Sequence, residues 1–221
     1  MLTPKNPELD HEELLLIGCG GHSKVVTDIA ESQGYSNITY LNTFGHSDRF
    51  LGRRAVRKEP SGYNGSFFVA IGDNNTRQSI TEDFLMKNPN AKLISLIHPS
   101  SVVSKNSLIG HGVAIMPLCV INHSTRIGDG VIVNTRSSID HDSNLDDFSS
   151  VGPGVSMGGN VNIGKRSAIS IGATVKHGVR IGKDVIVGAS SLVLSDIEES
   201  CIAYGLPAKK IQPRKRGDKY L

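Results

Sequence analysis

The chain has 221 residues, which is enough for one large domain or two small ones. Its residues are 38% hydrophobic and 20% charged, a composition typical of globular proteins, and its net charge of +3 is too small to indicate nucleic-acid binding. No apolar stretch approaches the ~20 residues that a membrane-spanning helix needs. We therefore expect a globular protein with no nucleic-acid partner and no membrane span.

The cysteines and the first residues indicate the compartment. Cys19, Cys119 and Cys201 are odd in number and far apart, which argues against a disulfide framework and against a cysteine metal site. The first thirteen residues, MLTPKNPELDHEE, lack the basic start and apolar core of a signal peptide. The expected location is the reducing cytoplasm, and no bound metal is predicted.

Residues 1–97 alternate between strand and helix patterns, which predicts a small, parallel, Rossmann-like α/β domain. The first strand is a continuous apolar run, as expected for a buried strand, and a glycine turn separates it from an amphipathic helix. The predicted elements are strands at 14–17, 38–41, 67–71 and 92–97 and helices at 22–34 and 76–86.

The glycine turn after the first strand reads Gly18-Cys19-Gly20-Gly21-His22. It lacks the final glycine of the dinucleotide fingerprint, and Asn42 stands where an acidic residue would end the second strand, so NAD is not expected. A phosphate-bearing ligand at the start of the following helix is compatible with the pattern. A tight strand-to-helix turn without a ligand is the other interpretation.

A six-residue hydrophobic repeat occupies the second half of the chain. Every sixth residue is aliphatic, and the residue four positions later is almost always small or β-branched. The aliphatic positions are Val103, Ile109, Ile115, Ile121, Ile127, Val133, Ile139, Leu145, Val151, Met157, Ile163, Ile169, Val175, Ile181, Val187 and Val193. Repeats of fixed period indicate stacked, solenoid-like architectures.

A longer period of eighteen overlies the hexads. Ile-Gly pairs fall on this spacing at Ile109-Gly110, Ile127-Gly128, Ile163-Gly164 and Ile181-Gly182. Three hexads per coil predict three short strands and three tight corners, with glycine or a short polar residue where a corner needs a positive φ. About five coils would stack at the usual strand spacing of ~4.8 Å. A β-helix is therefore predicted over residues 98–221.

This half of the chain resembles the hexapeptide-repeat acyltransferases, whose β-helix is left-handed. The ending Tyr204-Gly205-Leu206-Pro207-Ala208-Lys209-Lys210-Ile211 is similar to their G-x-P-A-K-x-I element. The preceding I-G-x-G-G-H, A-I-G-D-N and H-P-S motifs extend the likeness from about residue 14 to 211. Together they resemble the bacterial sugar acetyltransferases that act on nucleotide-linked 4-amino sugars or on sialic acid.

The resemblance implies an acetyl-CoA-dependent acetyltransferase. The first expectation is N-acetylation of the 4-amino group of a nucleotide-linked sugar for surface-glycan biosynthesis. The alternatives are O-acetylation of sialic acid or a related sugar and, more distantly, a non-catalytic protein that binds sugar nucleotides. The resemblance also implies a homotrimer with its sites between subunits and a first domain that binds the sugar nucleotide.

The element Ile139-Asp140-His141-Asp142 resembles the catalytic motif of this family. It implies His141 as the general base and Asp142 as the carboxylate that orients it, because acetyl transfer needs a group that removes a proton from the acceptor. His123 and His177 fall on the same column of corners and are predicted to line a polar surface. A zinc site of the γ-carbonic-anhydrase type would need a histidine five residues after His141, where Asp146 stands.

The matching positions define the remaining predicted site. The residues expected near the substrate are Gly20, Gly21, His22, Gly72, Asp73, Asn74 and Asn134. The residues expected to contact acetyl-CoA, chiefly through their backbone, are Gly159, Ile171, Gly172 and Ala189. The chain ends in a basic segment that is interpreted as a solvated tail: Lys209, Lys210, Arg214, Lys215, Arg216 and Lys219.

Overall fold

A computed structural model describes residues 13–43, 45 and 47–219. Most of the N-terminal segment interpreted as lacking a signal peptide, residues 1–12, lies outside the described residues. An α/β domain comes first. Its strands are Leu14–Ile17 (β1), Ile38–Leu41 (β2), Arg49–Phe50 (β3), Arg53–Val56 (β4), Ser66–Val69 (β5) and Lys92–Leu93 (β6), and its helices are Gly21–Ser32 (α1) and Asn74–Lys87 (α2).

The sheet of this domain has the strand order β3-β4-β2-β1-β5-β6 in the described part of the chain. β1 lies in the middle and pairs in parallel with β2 and β5, and its four residues are buried because the sheet is covered on both faces. α1 packs its apolar stripe, Val26, Ile29 and Ala30, into the core. The predicted α/β layout is confirmed. The sheet also contains an antiparallel β3–β4 pair, which was not predicted because its sequence is short and charged.

The predicted strand 92–97 is two strands that belong to different domains. Lys92–Leu93 pairs with β5, whereas Leu96–Ile97 pairs with Ala114–Ile115 of the β-helix. The solenoid therefore begins two residues before the boundary predicted from the sequence. A continuous apolar pattern cannot show where a chain leaves one sheet and enters another, because both strands are buried in the same way.

The second domain is a parallel β-solenoid with three sheets. Among the described residues, seventeen two-residue strands make almost six coils of three strands each. Sheet 1 contains Leu96–Ile97, Ala114–Ile115, Ile132–Val133, Ser150–Val151, Ala168–Ile169 and Ile186–Val187. Sheet 2 contains Val102–Val103, Val120–Ile121, Ser138–Ile139, Ser156–Met157, Thr174–Val175 and Leu192–Val193. Sheet 3 contains Leu108–Ile109, Arg126–Ile127, Asn144–Leu145, Asn162–Ile163 and Arg180–Ile181.

The core of the solenoid is the column of hexad residues predicted from the sequence. From Ile115 to Val193 every sixth residue is buried, and Val103 and Ile109 at the first coils are partly buried against the same core. Strands pair with residues eighteen positions away, as Ile121 does with Ile139. The hexad pattern therefore fixed both the inward face and the register, as expected where one face of a strand is buried.

The Ile-Gly pairs have a different structural reason from the one expected. The left-handed φ angles of these corners occur two residues after the glycine, at Gly130 (φ 65°) and also at Arg166 (φ 60°). A Cβ atom on Gly128 would instead lie 2.7 Å from the main-chain nitrogen of Asp147 in the next coil. Close stacking of the coils, rather than a positive φ, requires glycine there.

The C-terminal segment is an antiparallel hairpin rather than an unstructured tail, although five of its six basic residues are exposed as predicted: Lys209, Lys210, Lys215, Arg216 and Lys219. Cys201–Gly205 continues sheet 1, and Ala208–Pro213 pairs with it. Arg214 is buried and its Nη1 donates to the carbonyl of Asp184 over 3.3 Å. Arg216 Nε donates to Asn75 Oδ1 over 3.0 Å, so the chain end returns to the first turn of α2. Charge alone could not show this because the partners lie far away in sequence.

Polar groups join the two domains. The face of α2 toward the solenoid is polar and buried, which its sequence pattern hides because the helix has no apolar stripe. The polar seam consists of Asn74, Arg77 and Gln78 from α2 and Ser150, Arg166 and Asp184 from the solenoid. Buried polar groups need hydrogen-bond partners, and these groups find them across the seam, which fixes the orientation of the α/β domain.

Candidate active site

A cavity of about 440 Å³ opens at the carboxyl ends of β1, β2 and β5. This strand-end cavity brings together five of the residues predicted near the substrate: Gly20, Gly21, His22, Gly72 and Asp73. Cys19, Asn42 and Thr43 also line it. The carboxyl edge of a parallel sheet is the usual ligand site of such folds, because loops and helix N-termini converge there.

A second cavity of about 240 Å³ lies between the α/β domain and sheet 1. This seam cavity shares His22 and Gly72 with the strand-end cavity, so the two adjoin. Asn134, Ser150 and Ile171 contribute its solenoid wall. Together the lining residues of the two cavities extend from the glycine turn to the surface of the coils.

Asn74 does not line either cavity, contrary to the simplest expectation from its motif. Its side chain is buried, and its Nδ2 donates to Ser150 Oγ over 3.0 Å and to the carbonyl of Arg166 over 3.1 Å. Its Oδ1 accepts from Arg77 Nη2 over 2.6 Å. The role of this amide is to join the domains. The neighbouring Asp73 caps α2, accepting from the main-chain N–H of Thr76 over 2.8 Å.

His22 is the ionisable side chain shared by the two cavities. Burial, reinforced by the nearby positive charge of Arg77, lowers the pKa of His22 to about 4. Its Nε2 is buried and has no hydrogen-bond partner among the described residues. A neutral imidazole with an unsatisfied nitrogen is suited to a polar ligand, because leaving that atom without a partner costs free energy. α1 begins beside it at Gly21, where main-chain N–H groups favour an anion.

His141 lies on the corner between sheets 2 and 3. Its Nδ1 is 2.7 Å from Asp142 Oδ2, and the two side chains are 52% and 61% exposed. Asp140 accepts from the main-chain N–H of His141 over 2.8 Å and from Asn122 Nδ2 over 2.9 Å. The bond to Asp142 and then the charge of Asp140 raise the pKa of His141. Because Nδ1 is engaged, Nε2 is the nitrogen that can take up a proton.

Gly159, one coil later, supports the imidazole of His141. A Cβ atom there would lie 2.7 Å from both Cε1 and Nε2 of the ring, so a larger residue would displace it. The ring of His177, a further coil along, is centred 6.3 Å from that of His141. His123 precedes them on the same corner, with its Nδ1 2.6 Å from Ser124 Oγ. The predicted histidine column exists, and His141 is its member with an adjacent carboxylate partner.

The other residues predicted to contact acetyl-CoA lie on a different corner. Ile171, Gly172 and Ala189 are exposed at the turns that follow sheet 1, in the same column as Asn134. Within one chain, the predicted site residues therefore form two groups. One contains His141, Asp142 and Gly159, and the other contains the two cavities with Asn134 and the residues following sheet 1.

Several residues at the site were not predicted. Ser150 lines the seam cavity and binds Asn74, and Arg77 lies buried behind Gly72. The polar sequence N-N-T-R-Q is typical of a solvent-exposed helix face, so nothing in it distinguished Arg77 from an exposed arginine. Thr43 is the second residue after the end of the predicted strand 38–41, and that position alone could have identified it.

Two further features concern metal sites and membrane spans. No group of three or more His, Cys, Asp or Glu side chains within residues 13–43, 45 and 47–219 is arranged to hold a metal ion. In that same part of the chain, neither helix has the length and apolar character needed to cross a membrane.

The first domain and the chain as a whole are similar to known proteins. The family described as the PglD N-terminal domain matches residues 13–84. A curated relative, UDP-N-acetylbacillosamine N-acetyltransferase of Bacillus subtilis (strain 168), is 29% identical over 113 residues, which are 48% of this chain. That alignment covers 51% of the relative, so the match spans about half the length of that curated protein.

Solved structures match over nearly the whole chain. A mutant of perosamine N-acetyltransferase from Caulobacter crescentus, in complex with CoA and GDP-perosamine, is 34% identical with a TM-score of 0.84, covering 91% of this chain and 97% of that one. The acetyltransferase domain of PglB from Neisseria gonorrhoeae FA1090, in complex with acetyl coenzyme A, is 34% identical with a TM-score of 0.85, covering 90% and 98%.

Proposed function

Because the chain belongs to the family of hexapeptide-repeat sugar N-acetyltransferases, we propose that it transfers the acetyl group of acetyl-CoA to the 4-amino group of a nucleotide-linked sugar. Solved relatives bind CoA with GDP-perosamine, or acetyl-CoA. The observation that carries the proposal for this chain is the imidazole of His141, held by Asp142 and leaving Nε2 as the basic nitrogen.

The proposed reaction is direct attack of the amine on the thioester. The sugar nitrogen forms a bond to the acetyl carbonyl carbon, and His141 Nε2 removes a proton from that nitrogen. The tetrahedral intermediate then expels the CoA thiolate as the C–S bond breaks, and the proton leaves the imidazole for the thiolate or water. Asp142 keeps the imidazole in the tautomer whose Nε2 lone pair faces the acceptor, and it stabilises the imidazolium.

The strand-end cavity is proposed to bind the nucleotide. The N–H groups at the start of α1 suit a diphosphate, and His22 is neutral at pH 7 because burial lowers its pKa to about 4. Its unsatisfied Nε2 can therefore accept or donate one hydrogen bond without a second buried charge. The seam cavity would take the sugar side of the ligand, since it leads toward the coils.

A homotrimer is proposed because a single chain keeps the two groups of site residues on different corners. Each active site would then combine His141 of one chain with the cavities of its neighbour. A cyclic assembly joins two different surfaces of each subunit, which meets this requirement for every copy. Acetyl-CoA would lie between the chains, against Gly159 of one and Ile171, Gly172 and Ala189 of the other.

The test is release of CoA thiol from acetyl-CoA, with UDP-, dTDP- and GDP-linked 4-amino sugars and free sialic acid as acceptors. We expect release with a nucleotide-linked amino sugar, and a loss of about 100- to 10,000-fold in kcat for His141→Ala. Release with sialic acid alone would replace N-acetylation by O-acetylation. Full activity in His141→Ala, or no release with any acceptor, would contradict the proposal.

A further inference from the structure

Arg77 is buried at the centre of the polar seam and is 1% exposed. Its Nε donates to the carbonyl of Gly130 over 2.7 Å, and its Nη2 to that of Phe148 over 3.1 Å. Both acceptors are corner residues of consecutive solenoid coils. This part of the guanidinium is therefore anchored to the β-helix.

The third nitrogen of Arg77 contacts the wall of the ligand cavities. Its Nη1 donates to the carbonyl of Ile71 over 3.0 Å and to that of Gly72 over 2.8 Å. Ile71 and Gly72 line the strand-end cavity, and Gly72 also lines the seam cavity. One rigid, planar group thus connects the end of β5 to the solenoid.

The same segment is held from the opposite side by Ser23. Its Oγ donates to the carbonyl of Ala70 over 3.1 Å and accepts from the main-chain N–H of Gly20 over 3.2 Å. Residues 70–72 are therefore fixed between the glycine turn and the solenoid. Arg77 supplies the solenoid side of that support, because its acceptors belong to both domains.

We propose that Arg77 is a positioning residue that holds the Ile71–Gly72 wall of the cavities at a fixed place relative to the solenoid, and thereby sets the affinity for the nucleotide-linked sugar. This inference rests on the proposed function. A guanidinium can serve acceptors in several directions of one plane, whereas the ammonium of a lysine retains the charge but cannot bridge both pairs of carbonyls.

Arg77→Lys tests the proposal, and Arg166→Lys is the matched control. Arg166 is also buried in the polar seam, where it donates to Asp184 over 2.8 and 2.6 Å and to Gln78 over 3.1 Å, but these partners do not line the cavities. For Arg77→Lys we expect the KM for the nucleotide-linked sugar to rise about tenfold, since hydrogen bonds from a charged group are lost. The KM for acetyl-CoA should stay within about twofold in both variants, and Arg166→Lys should leave both KM values within that range.

Asn74→Ala provides a second variant should Arg77→Lys fail to fold. It removes one acceptor of the guanidinium, and we expect the same KM to rise about threefold. Calorimetric titration with UDP, dTDP and GDP separates the possible failures. Unchanged affinity in Arg77→Lys and Asn74→Ala, or an equal loss in Arg166→Lys, would overturn the inference alone. Absence of binding to the wild type would overturn the proposed nucleotide substrate together with it.

Discussion

Two histidines of the candidate site have pKa values displaced in opposite directions, for different physical reasons. Burial lowers the pKa of His22, so the neutral form dominates at pH 7. A carboxylate at 2.7 Å raises the pKa of the exposed His141. The first arrangement suits a neutral hydrogen-bonding partner of a ligand, and the second suits a base.

Asp142→Asn should therefore shift the pH dependence of the reaction. The proposed mechanism requires neutral His141, so kcat should rise with pH as the imidazolium loses its proton. Without the carboxylate that raises the pKa, we expect the acidic limb of the kcat profile to move to lower pH. We also expect the plateau to fall roughly tenfold, part of the 100- to 10,000-fold that a positioned base contributes. A pH–rate profile from pH 5 to 9 tests this, and an acidic limb that stays in place would contradict the assignment of the base.

The residues of the site differ in how far sequence could identify them. His141 and Asp142 are adjacent, so their pairing follows from local geometry once the motif is seen. Asn74 bonds to Ser150, 76 positions away, and no local pattern carries that information. Its motif predicted a substrate contact, whereas the folded chain uses its amide between domains. Buried polar pairs between distant segments are therefore the part of the site that the sequence could not show.

At the level of elements, the solenoid was predictable because a single period controls burial, register and pairing. The α/β strands at 14–17 and 38–41 were likewise predicted, as short apolar runs next to turns. The polar helix α2 was predicted shorter than it is, over 76–86, and its buried face was not foreseen. Hydrophobic periodicity cannot report a face that is buried through hydrogen bonds.

One inward-facing residue should account for several kcal/mol of the stability of a coil. Ile163 is fully buried on sheet 3, and Ile163→Ala leaves a cavity that the stacked coils above and below cannot fill. We expect the free energy of unfolding to fall by about 2–5 kcal/mol. Chemical denaturation measures this free energy. The control is Arg180→Ala, which changes an outward-facing residue of the same sheet and should alter the free energy of unfolding by no more than about 0.5 kcal/mol. Equal effects would mean that this face is not the core.

At the scale of the whole molecule, the candidate site depends on how the two domains are placed relative to each other. The polar seam and the returning C-terminal segment hold α2 against the corner column that follows sheet 3. The walls of the seam cavity come from both domains. Sequence predicted both domains but not their relative placement, which depends on buried polar groups.

The proposed shared site predicts complementation between two inactive variants. Gly20 lines the strand-end cavity and a Cβ atom there meets nothing within 4 Å, so Gly20→Trp should fold and fill the cavity, whereas His141→Ala removes the proposed base. In randomly mixed trimers made from equal amounts, one site in four would combine two intact halves, so co-expression should restore about a quarter of wild-type CoA release. Activity no higher than that of either variant alone would place both halves of the site within one chain.

The eighteen-residue coil would also set the distance between the two parts of the proposed active site. The wall of the seam cavity comes from coils at Ile132, Ser150 and Ala168, and His141 lies within the same levels. Equivalent residues of successive coils lie about 4.8 Å apart along the solenoid axis, so an inserted or deleted coil shifts every later residue by that step. If His141 is the base as proposed, gaining or losing a coil between the docked α/β domain and His141 would misplace its imidazole by more than an acyl transfer tolerates. Under the proposed function, acceptors of different length would be accommodated by reshaping the α/β loops, while the number of coils between the α/β domain and His141 stays constant.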